Sequence, residues 1–221
     1  MKTLQNFCLP VIVFLITVTA SAQNQKAGIK AGMNLANISF DENATFFEDV
    51  KNHTGFQVFV DYEVYENKLL TISAESGYIL KGFENNLTST NELGEPTGSA
   101  KVKNKMNFLD LSANLKFVYR SGISPFLSIT PSAGIYLGGS SSSSGSAATE
   151  NMNAMFETLL DSMNSVTFGF KFGAGAEFNN LIKSVPITAE IRYEPDLTKI
   201  YDKNSFSFKN KALEFNLGVK F

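Results

Sequence analysis

Residues 166–178 have the sequence Val-Thr-Phe-Gly-Phe-Lys-Phe-Gly-Ala-Gly-Ala-Glu-Phe, in which every second residue is apolar. Thr167, Lys171 and Glu177 lie between the apolar positions, together with three glycines. A period of two places successive side chains on opposite faces of a β-strand, whereas a helix has a period of 3.6. The stretch therefore predicts a strand with one apolar face and one polar face that carries charge.

The same alternation recurs along most of the chain. It predicts eight strands, over residues 27–38, 55–65, 69–81, 106–119, 125–138, 165–178, 186–194 and 211–221. The connections between them alternate between long and short, and the short ones are 66–68, 120–124 and 179–185. This order is typical of outer-membrane barrels, which have short periplasmic turns and long external loops. We therefore predict an all-β fold, an eight-stranded antiparallel up-and-down transmembrane β-barrel with long external loops, and keep a soluble periplasmic barrel or sandwich as the alternative.

The composition excludes several other classes of protein. The chain has 221 residues, of which 43% are hydrophobic and 18% charged, and its net charge is −2. That hydrophobic content is too high for a disordered chain, and the near balance of charge argues against a nucleic-acid partner. The single cysteine, Cys8, excludes a disulfide framework.

The N-terminal segment has the features of a secretory signal peptide. Lys2 precedes an apolar run over residues 7–20, and Ala20-Ser21-Ala22 fits the small-residue cleavage pattern. We predict cleavage after Ala22, so that residues 1–22 are the signal peptide and residues 23–221 form the barrel domain. An N-terminal anchor helix is the alternative, although the apolar run is short for a spanning helix.

The energy of burying charge decides which strand face meets lipid. A Lys or Arg on the lipid face near the bilayer midplane costs about 2–4 kcal/mol, so the apolar face is predicted to point outward. The polar face then lines a lumen that side chains fill, because an eight-stranded barrel is narrow. The predicted lumen charge network is nearly balanced and consists of Lys30, Asp61, Glu63, Glu75, Lys81, Asp110, Lys116, Lys171, Glu177, Glu190, Arg192, Glu214 and Lys220.

Three segments resemble a known family. Residues 28–37, Gly-Ile-Lys-Ala-Gly-Met-Asn-Leu-Ala-Asn, are similar to the first strand of the PorT-like outer-membrane β-barrel family. Residues 134–138, Gly-Ile-Tyr-Leu-Gly, and the terminal Phe221 are similar to its later strands. The resemblance implies an outer-membrane location, and a last strand ending in Phe implies that Phe221 is an assembly signal for the barrel assembly machinery. Most members of this family have no assigned activity, so the resemblance implies no reaction.

Candidate residues for catalysis or metal binding are few. His53 is the only histidine and falls in the first predicted loop, and no serine and acid accompany it at a spacing that indicates a lipid hydrolase. We therefore predict an exposed loop histidine and no catalytic residue. Asp41, Glu42, Glu48 and Asp49 could attract a divalent ion or form a solvated acidic loop; we predict the solvated loop, and no metal or cofactor.

The third long loop has the most distinctive composition. Residues 138–145, two glycines and five serines followed by Gly145, predict a flexible tether. A helix is predicted over residues 150–163, because apolar side chains recur there at helical spacing: Met152, Met155, Phe156, Leu159, Leu160 and Met163. This apolar face either binds a protein partner, since Met-rich faces adapt to varied surfaces, or folds back over the barrel mouth.

The sequence therefore predicts a small outer-membrane barrel, surrounded by outer-membrane lipid, with a structural or partner-binding role through its external loops. A narrow channel or ligand-binding barrel is the main alternative. A lipid-modifying barrel enzyme is the less favoured one, because His53 has no partner that the spacing identifies.

Overall fold

The computed structural model describes most of the barrel domain. The described residues are 26–40, 50–91, 93, 95–146, 150–182, 185–195, 197–203 and 206–221. The predicted signal peptide, residues 1–22, and the acidic residues of the first loop, Asp41, Glu42, Glu48 and Asp49, lie outside them.

The described chain forms one antiparallel sheet that closes on itself. Its strands are β1 Ala27–Phe40, β2 Val50–Glu66, β3 Leu70–Thr90, β4 Pro96–Val118, β5 Ile123–Ser144, β6 Val166–Ile182, β7 Val185–Pro195, β8 Tyr201–Lys203 and β9 Phe206–Lys220. One helix, α1, Glu150–Asp161, lies between β5 and β6. Each wall strand pairs with its sequence neighbour, β7 pairs with β9, and β1 pairs with β9. Because β8 pairs only with β9, the wall has eight strands, and the predicted eight-stranded barrel is confirmed.

Pairing of β1 with β9 removes the open edge of the wall. The register runs from Gly28 opposite Lys220 to Phe40 opposite Phe208. A closed barrel satisfies its backbone N–H and C=O groups between strands, which lipid could not do for an open edge. The short connections at 67–69 and 119–122 lie at the end that holds the chain terminus, which marks that end as periplasmic.

Apolar side chains on the outer face form a belt around the barrel. Met33 is 59% exposed, Val60 56% and Leu217 66%. A protein surrounded by water rarely exposes so continuous an apolar surface, whereas lipid solvates it. Among the described residues, no helix is long and apolar enough to cross a membrane.

Beyond this belt, several strands continue further than the alternation predicts. The predicted loop over residues 82–105 is mostly strand, because β3 and β4 stay paired from Leu80 opposite Asn107 to Ser89 opposite Gly98. Phe83 and Val102 are fully buried inside this extension. Polar residues are common on both faces there, so the period of two is weak in the sequence and the packing of the inner face holds the strands together.

The predicted tether over residues 138–145 is wrong for its serines. Residues 140–144 are the end of β5, and they pair in register with residues 101–105 of β4. Serine has no strong preference for a strand, so the pairing with β4 determines the conformation of this tract.

Helix α1 packs on the external end of the barrel. Its Phe156 and Leu160, and Met163 just after it, are buried. Leu160 and Met163 belong to an apolar cluster with seven other buried residues, Ile38, Ile79, Phe83, Met106, Phe108, Ile200 and Phe208. We call this cluster the apolar cap. Ile79 and Phe83 share strand parity with the buried Lys81, so these cap residues lie on the lumen side of the wall.

Substitution of Leu217 by Arg tests the position of the belt. Leu217 pairs with Ala31, midway along the apolar part of β1, so Leu217→Arg places a charge near the bilayer midplane. We expect the free energy of unfolding, measured by urea titration in lipid vesicles, to fall by about 2–4 kcal/mol. The control is Ser39→Arg on the outer face beyond the belt, with an expected cost of about 0–1 kcal/mol. Equal costs at the two positions would contradict the assigned belt.

Candidate functional site: the charge-paired lumen

The structure places every predicted member of the lumen charge network in the barrel interior. None of these residues is more than 4% exposed. The members are Lys30, Asp61, Glu63, Glu75, Lys81, Asp110, Lys116, Lys171, Glu177, Glu190, Arg192, Glu214 and Lys220. They come from strands all around the wall, because the inward position recurs at every second residue of each strand.

Arg192 is the centre of the network. Its Nη1 lies 2.7 Å from Glu75 Oε2 and its Nη2 lies 2.8 Å from Glu190 Oε2. A second bond from Nη2 to Glu75 Oε1, at 2.9 Å, makes the pairing with Glu75 bidentate. Lys30 Nζ also contacts Glu75 Oε1, at 2.5 Å. Because Arg192 lies on β7, Glu75 on β3 and Lys30 on β1, these bonds connect three separate parts of the wall across the lumen.

Lys171 is the centre of a second group of charges. Its Nζ lies 3.0 Å from Asp110 Oδ2 and 3.3 Å from Glu214 Oε1. The ammonium also lies 4.8 Å from the centroid of the Phe59 ring, a cation–π contact that stabilises a desolvated cation. The group therefore links β6 to β4, β9 and β2.

A third group lies at the periplasmic end of the lumen. Glu177 Oε1 accepts hydrogen bonds from Lys220 Nζ at 2.7 Å and from Lys116 Nζ at 3.3 Å. Lys220 also bonds to Glu63. Arg120, which is partly exposed, contacts Glu177 Oε2 at 3.6 Å and so extends the network to the periplasmic opening of the barrel.

Glu194 is a lumen residue that the sequence analysis missed. It is 2% exposed, and its Oε2 lies 2.9 Å from Lys81 Nζ. The alternation along β7 would have found it, because Glu190 and Arg192 occupy the same face four and two residues earlier. Neutral side chains were also missed, among them Gln57, which donates a hydrogen bond of 2.7 Å to Asn216 Oδ1.

The arrangement is suited to filling space and resisting deformation. A buried charge costs several kcal/mol unless it is paired and hydrogen-bonded, and here the charges are paired across strands. Among the described residues, no group of three or more His, Cys, Asp or Glu side chains is arranged to hold a metal ion.

His53 differs from its predicted environment. The predicted exposed loop histidine is wrong, because β2 begins at Val50 and the His53 residue is only 6% exposed. Its Nδ1 lies 3.6 Å from Glu84 Oε1, beyond an ordinary hydrogen bond. Both residues lie beyond the apolar belt. Burial lowers the pKa of His53 below its ordinary value and outweighs the opposing effect of the Glu84 carboxylate.

Glu84 is held in its charged form. Burial acts to raise its pKa, but the hydrogen bond and charge of Lys101 outweigh burial, so the pKa of Glu84 lies below its ordinary value. Lys101 Nζ lies 2.5 Å from Glu84 Oε2. At neutral pH this pair is therefore ionised while His53 is neutral.

The predicted partner-binding residues of the third loop are divided between two environments. Phe156, Leu160 and Met163 are buried, and Met152 and Leu159 are half-buried. Met155 is 50% exposed. Of the two alternatives for this apolar face, the structure has the helix folded onto the barrel, and the three buried side chains present no surface to a partner in this conformation.

Phe221 lies at the periplasmic end of the closing strand. Its side chain is 69% exposed and its backbone N–H donates a hydrogen bond of 2.8 Å to Ala27 O. The role of Phe221 as an assembly signal stays a prediction.

Comparison with known proteins agrees with this geometry. Residues 9–221 match a family described as outer membrane protein beta-barrel domain. The chain belongs to this family. It is therefore an outer-membrane β-barrel of the Gram-negative type, which confirms the predicted location.

This family member is similar to several solved barrels. Neisserial surface protein A is 15% identical, with 88% of this chain and 95% of that chain covered and a TM-score of 0.46. The attachment invasion locus protein Ail of Yersinia pestis is 14% identical, with 89% and 98% covered and a TM-score of 0.42. The outer membrane protease OmpT of Escherichia coli is 8% identical, with 91% and 97% covered and a TM-score of 0.43. No curated protein matches the sequence.

The pair Lys81–Glu194 allows a double-mutant test of the lumen of this outer-membrane barrel. Lys81→Met leaves the Glu194 carboxylate buried without its nearest cation, so we expect unfolding in vesicles to become easier by about 3–5 kcal/mol. The double variant Lys81→Met/Glu194→Gln should recover most of this loss, because no unpaired charge remains. The control is Lys26→Met, whose exposed pair with Glu66 is worth about 0–1 kcal/mol. A double variant as unstable as the single one would show that the pairing is not what stabilises this part of the lumen.

The external extension should lose stability as the pH falls. His53 has a lower pKa in the folded barrel than in the unfolded chain, so the unfolded state takes up the proton first. Stability is therefore greatest above the ordinary pKa of histidine and declines as the pH falls below it, until the folded state is protonated too. Hydrogen exchange of residues 50–54 and 82–86, compared at about pH 7.5 and 5.5 after correction for intrinsic rates, measures this loss. In the His53→Gln variant, the hydrogen exchange of these residues should not change between the two pH values. An equally unchanged wild-type barrel would contradict the lowered pKa assigned to His53.

Proposed function

We propose that this outer-membrane barrel is a non-conducting, non-catalytic protein with a structural or partner-binding role at the cell surface. The observation that carries the proposal is the filled lumen. The resemblance to PorT-like proteins supplies no reaction and no partner.

The lumen is obstructed at two levels. At membrane depth, Arg192, Glu75 and Lys30 connect opposite parts of the wall by bonds of 2.5–2.9 Å. On the external side, the apolar cap adds fully buried Phe83 and Phe208, whose ring centroids are 6.1 Å apart. An ion that enters from outside would have to displace apolar side chains and then break buried ion pairs. This supports a closed barrel over the alternative of a narrow channel.

The external hairpin of β3 and β4 supports a display role. From the pair Leu80–Asn107 to the pair Ser89–Gly98 it continues for about 30 Å beyond the belt at the usual rise per residue. It is anchored in a wall that the lumen bonds make rigid. A rigid hairpin loses little conformational entropy when a partner binds, which favours binding.

The surroundings of His53 support the absence of catalysis. An activated nucleophile needs a hydroxyl or thiol within hydrogen-bond reach of its base. Among the described residues, no serine, threonine or cysteine is bonded to His53, and neither of its ring nitrogens has a hydrogen-bond partner. The neighbouring carboxylate, Glu84, is held by Lys101 instead.

Planar-bilayer recording of the refolded chain tests the closed lumen. We expect no steady open level for the wild type, because buried ion pairs and the apolar cap fill the interior. The double variant Glu75→Ala/Arg192→Ala removes the central bonds and should increase ion leak, which shows that the assay detects an opened lumen. A stable, ion-selective open level in the wild type would favour the channel alternative.

A trimmed hairpin separates the two forms of the proposed role. A strain that lacks the protein is complemented with the full chain or with a variant without residues 87–99, and sensitivity to detergent is measured. A structural role predicts full protection by the trimmed barrel, whereas a partner-binding role of the hairpin predicts lost protection. No defect in the deletion strain would contradict a role in envelope integrity.

A further inference from the structure

The outer face of β4 and β5 carries a row of lysines paired with serines. Lys101, Lys103 and Lys105 are opposite Ser144, Ser142 and Ser140 in the register. The three serines are exposed, and the side chains of Lys101 and Lys103 are 44% and 45% exposed. Successive rungs are two residues apart, about 7 Å. We call these six residues the Lys–Ser ladder.

The ladder begins where the apolar belt ends. Asn107 lies on the same face of β4 as Lys105, two residues closer to the membrane. Tyr78 Oη donates a hydrogen bond of 2.5 Å to Asn107 Oδ1. The Tyr78 ring lies 5.6 Å from that of Phe56, which is half exposed on the outer face. Aromatic rings at the rim of the belt mark the membrane–water interface. Lys105 and Ser140 therefore lie at the depth of the lipid headgroups.

The charge around the ladder is strongly positive. In the strand register, Lys51 on β2 is opposite Glu84 on β3, and Glu84 is opposite Lys103 on β4. Glu84 contacts Lys101 at 2.5 Å and Lys103 at 3.8 Å, while Lys105 has no ion pair among the described residues. Among the described residues, the three ladder lysines against the Glu84 carboxylate leave a local charge of +2, and the neutral His53 adds nothing to it.

Edge protection does not explain these lysines. Lysines often line the exposed edge of a sheet, where they prevent pairing with another chain. Strand β4 is not an edge, because β3 and β5 flank it along its length. Like charges at this spacing repel one another, so a bound anion would relieve a cost that the fold otherwise carries.

We propose that the Lys–Ser ladder binds the phosphate groups of a phosphorylated glycolipid in the outer leaflet. A phosphate monoester carries almost two negative charges and three acceptor oxygens. Each rung carries an ammonium with three donors and a hydroxyl with one, and of the three ammonium groups that of Lys101 is already engaged by Glu84 at 2.5 Å. A lipid ligand fits better than a soluble polyanion, because the first rung is continuous with the lipid-facing belt. This inference goes beyond the proposed surface role, since it requires no protein partner and no change in the lumen.

Native mass spectrometry of the folded full chain in detergent tests the proposal. The probes are lipid A with two phosphates and the same lipid after chemical removal of its phosphates. We expect the wild type to prefer the phosphorylated lipid by on the order of tenfold, the effect of one charge-assisted hydrogen bond. Lys103→Gln/Lys105→Gln should abolish the preference. Ser140→Ala/Ser142→Ala should weaken it by roughly threefold, since neutral hydrogen bonds contribute less.

The matched control is Lys209→Gln/Lys211→Gln. These lysines also lie two residues apart, on the outer face of β9, but they are opposite Ser39 and Asn37 on β1 and outside the ladder. The control removes the same charge, so we expect the preference to stay within about twofold of the wild type. Heat-modifiable gel mobility verifies that each variant is folded. An equal loss in the control, or no preference in the wild type, would overturn the proposal.

Competition distinguishes lipid from soluble anions. Inorganic phosphate and a sulfated polysaccharide are added at increasing concentration to the complex with phosphorylated lipid A. A complex that keeps its lipid when either anion is present at a concentration that saturates exposed lysine side chains supports the glycolipid as ligand. Displacement by the polysaccharide at a lower concentration than lipid A would overturn the lipid assignment and identify a soluble polyanion as the ligand.

Discussion

Closure of the sheet between β1 and β9 is the constraint on which the rest of the structure depends. In lipid, an open edge would leave unpaired N–H and C=O groups, each of which costs several kcal/mol. The continuous register from Gly28–Lys220 to Phe40–Phe208 prevents this. Once the sheet is closed, every wall strand has one face in lipid and one in the lumen. The period of two in the sequence and the distribution of charge both follow from that geometry.

The small diameter of the closed barrel explains why its charges are paired. Inward side chains from opposite walls meet, as Arg192 and Glu75 do with two bonds at 2.7 and 2.9 Å. A wider barrel would leave such groups in water, where a pair contributes little. Further outward the interior is completed by apolar residues such as Phe83 and Phe208, because the extended strands carry few inward charges there. The lumen is thus closed by two different kinds of interaction.

The sequence alone predicts the parts of the fold that periodicity controls. The eight wall strands and the buried position of residues such as Lys171 follow from alternation, and Glu194 would have followed from the same rule. The external extension does not, because residues 82–105 have polar side chains on both faces. The strand conformation of the serine tract depends on pairing with β4, which a local sequence window does not contain. The burial of Phe156 and Leu160 likewise depends on long-range packing: helical spacing predicts the apolar face but not what covers it.

Strand β4 shows how one alternation serves two environments beyond the membrane. Its inward residues Val102, Asn104 and Met106 are fully buried, while Lys101, Lys103 and Lys105 between them face outward. The inner residues belong to the packing that closes the lumen, so they fix the strand in its extended form. That rigidity in turn holds the lysines at regular intervals beside the serines of β5. The external surface chemistry of the barrel therefore depends on the packing of its interior, although the side chains of the two faces point in opposite directions.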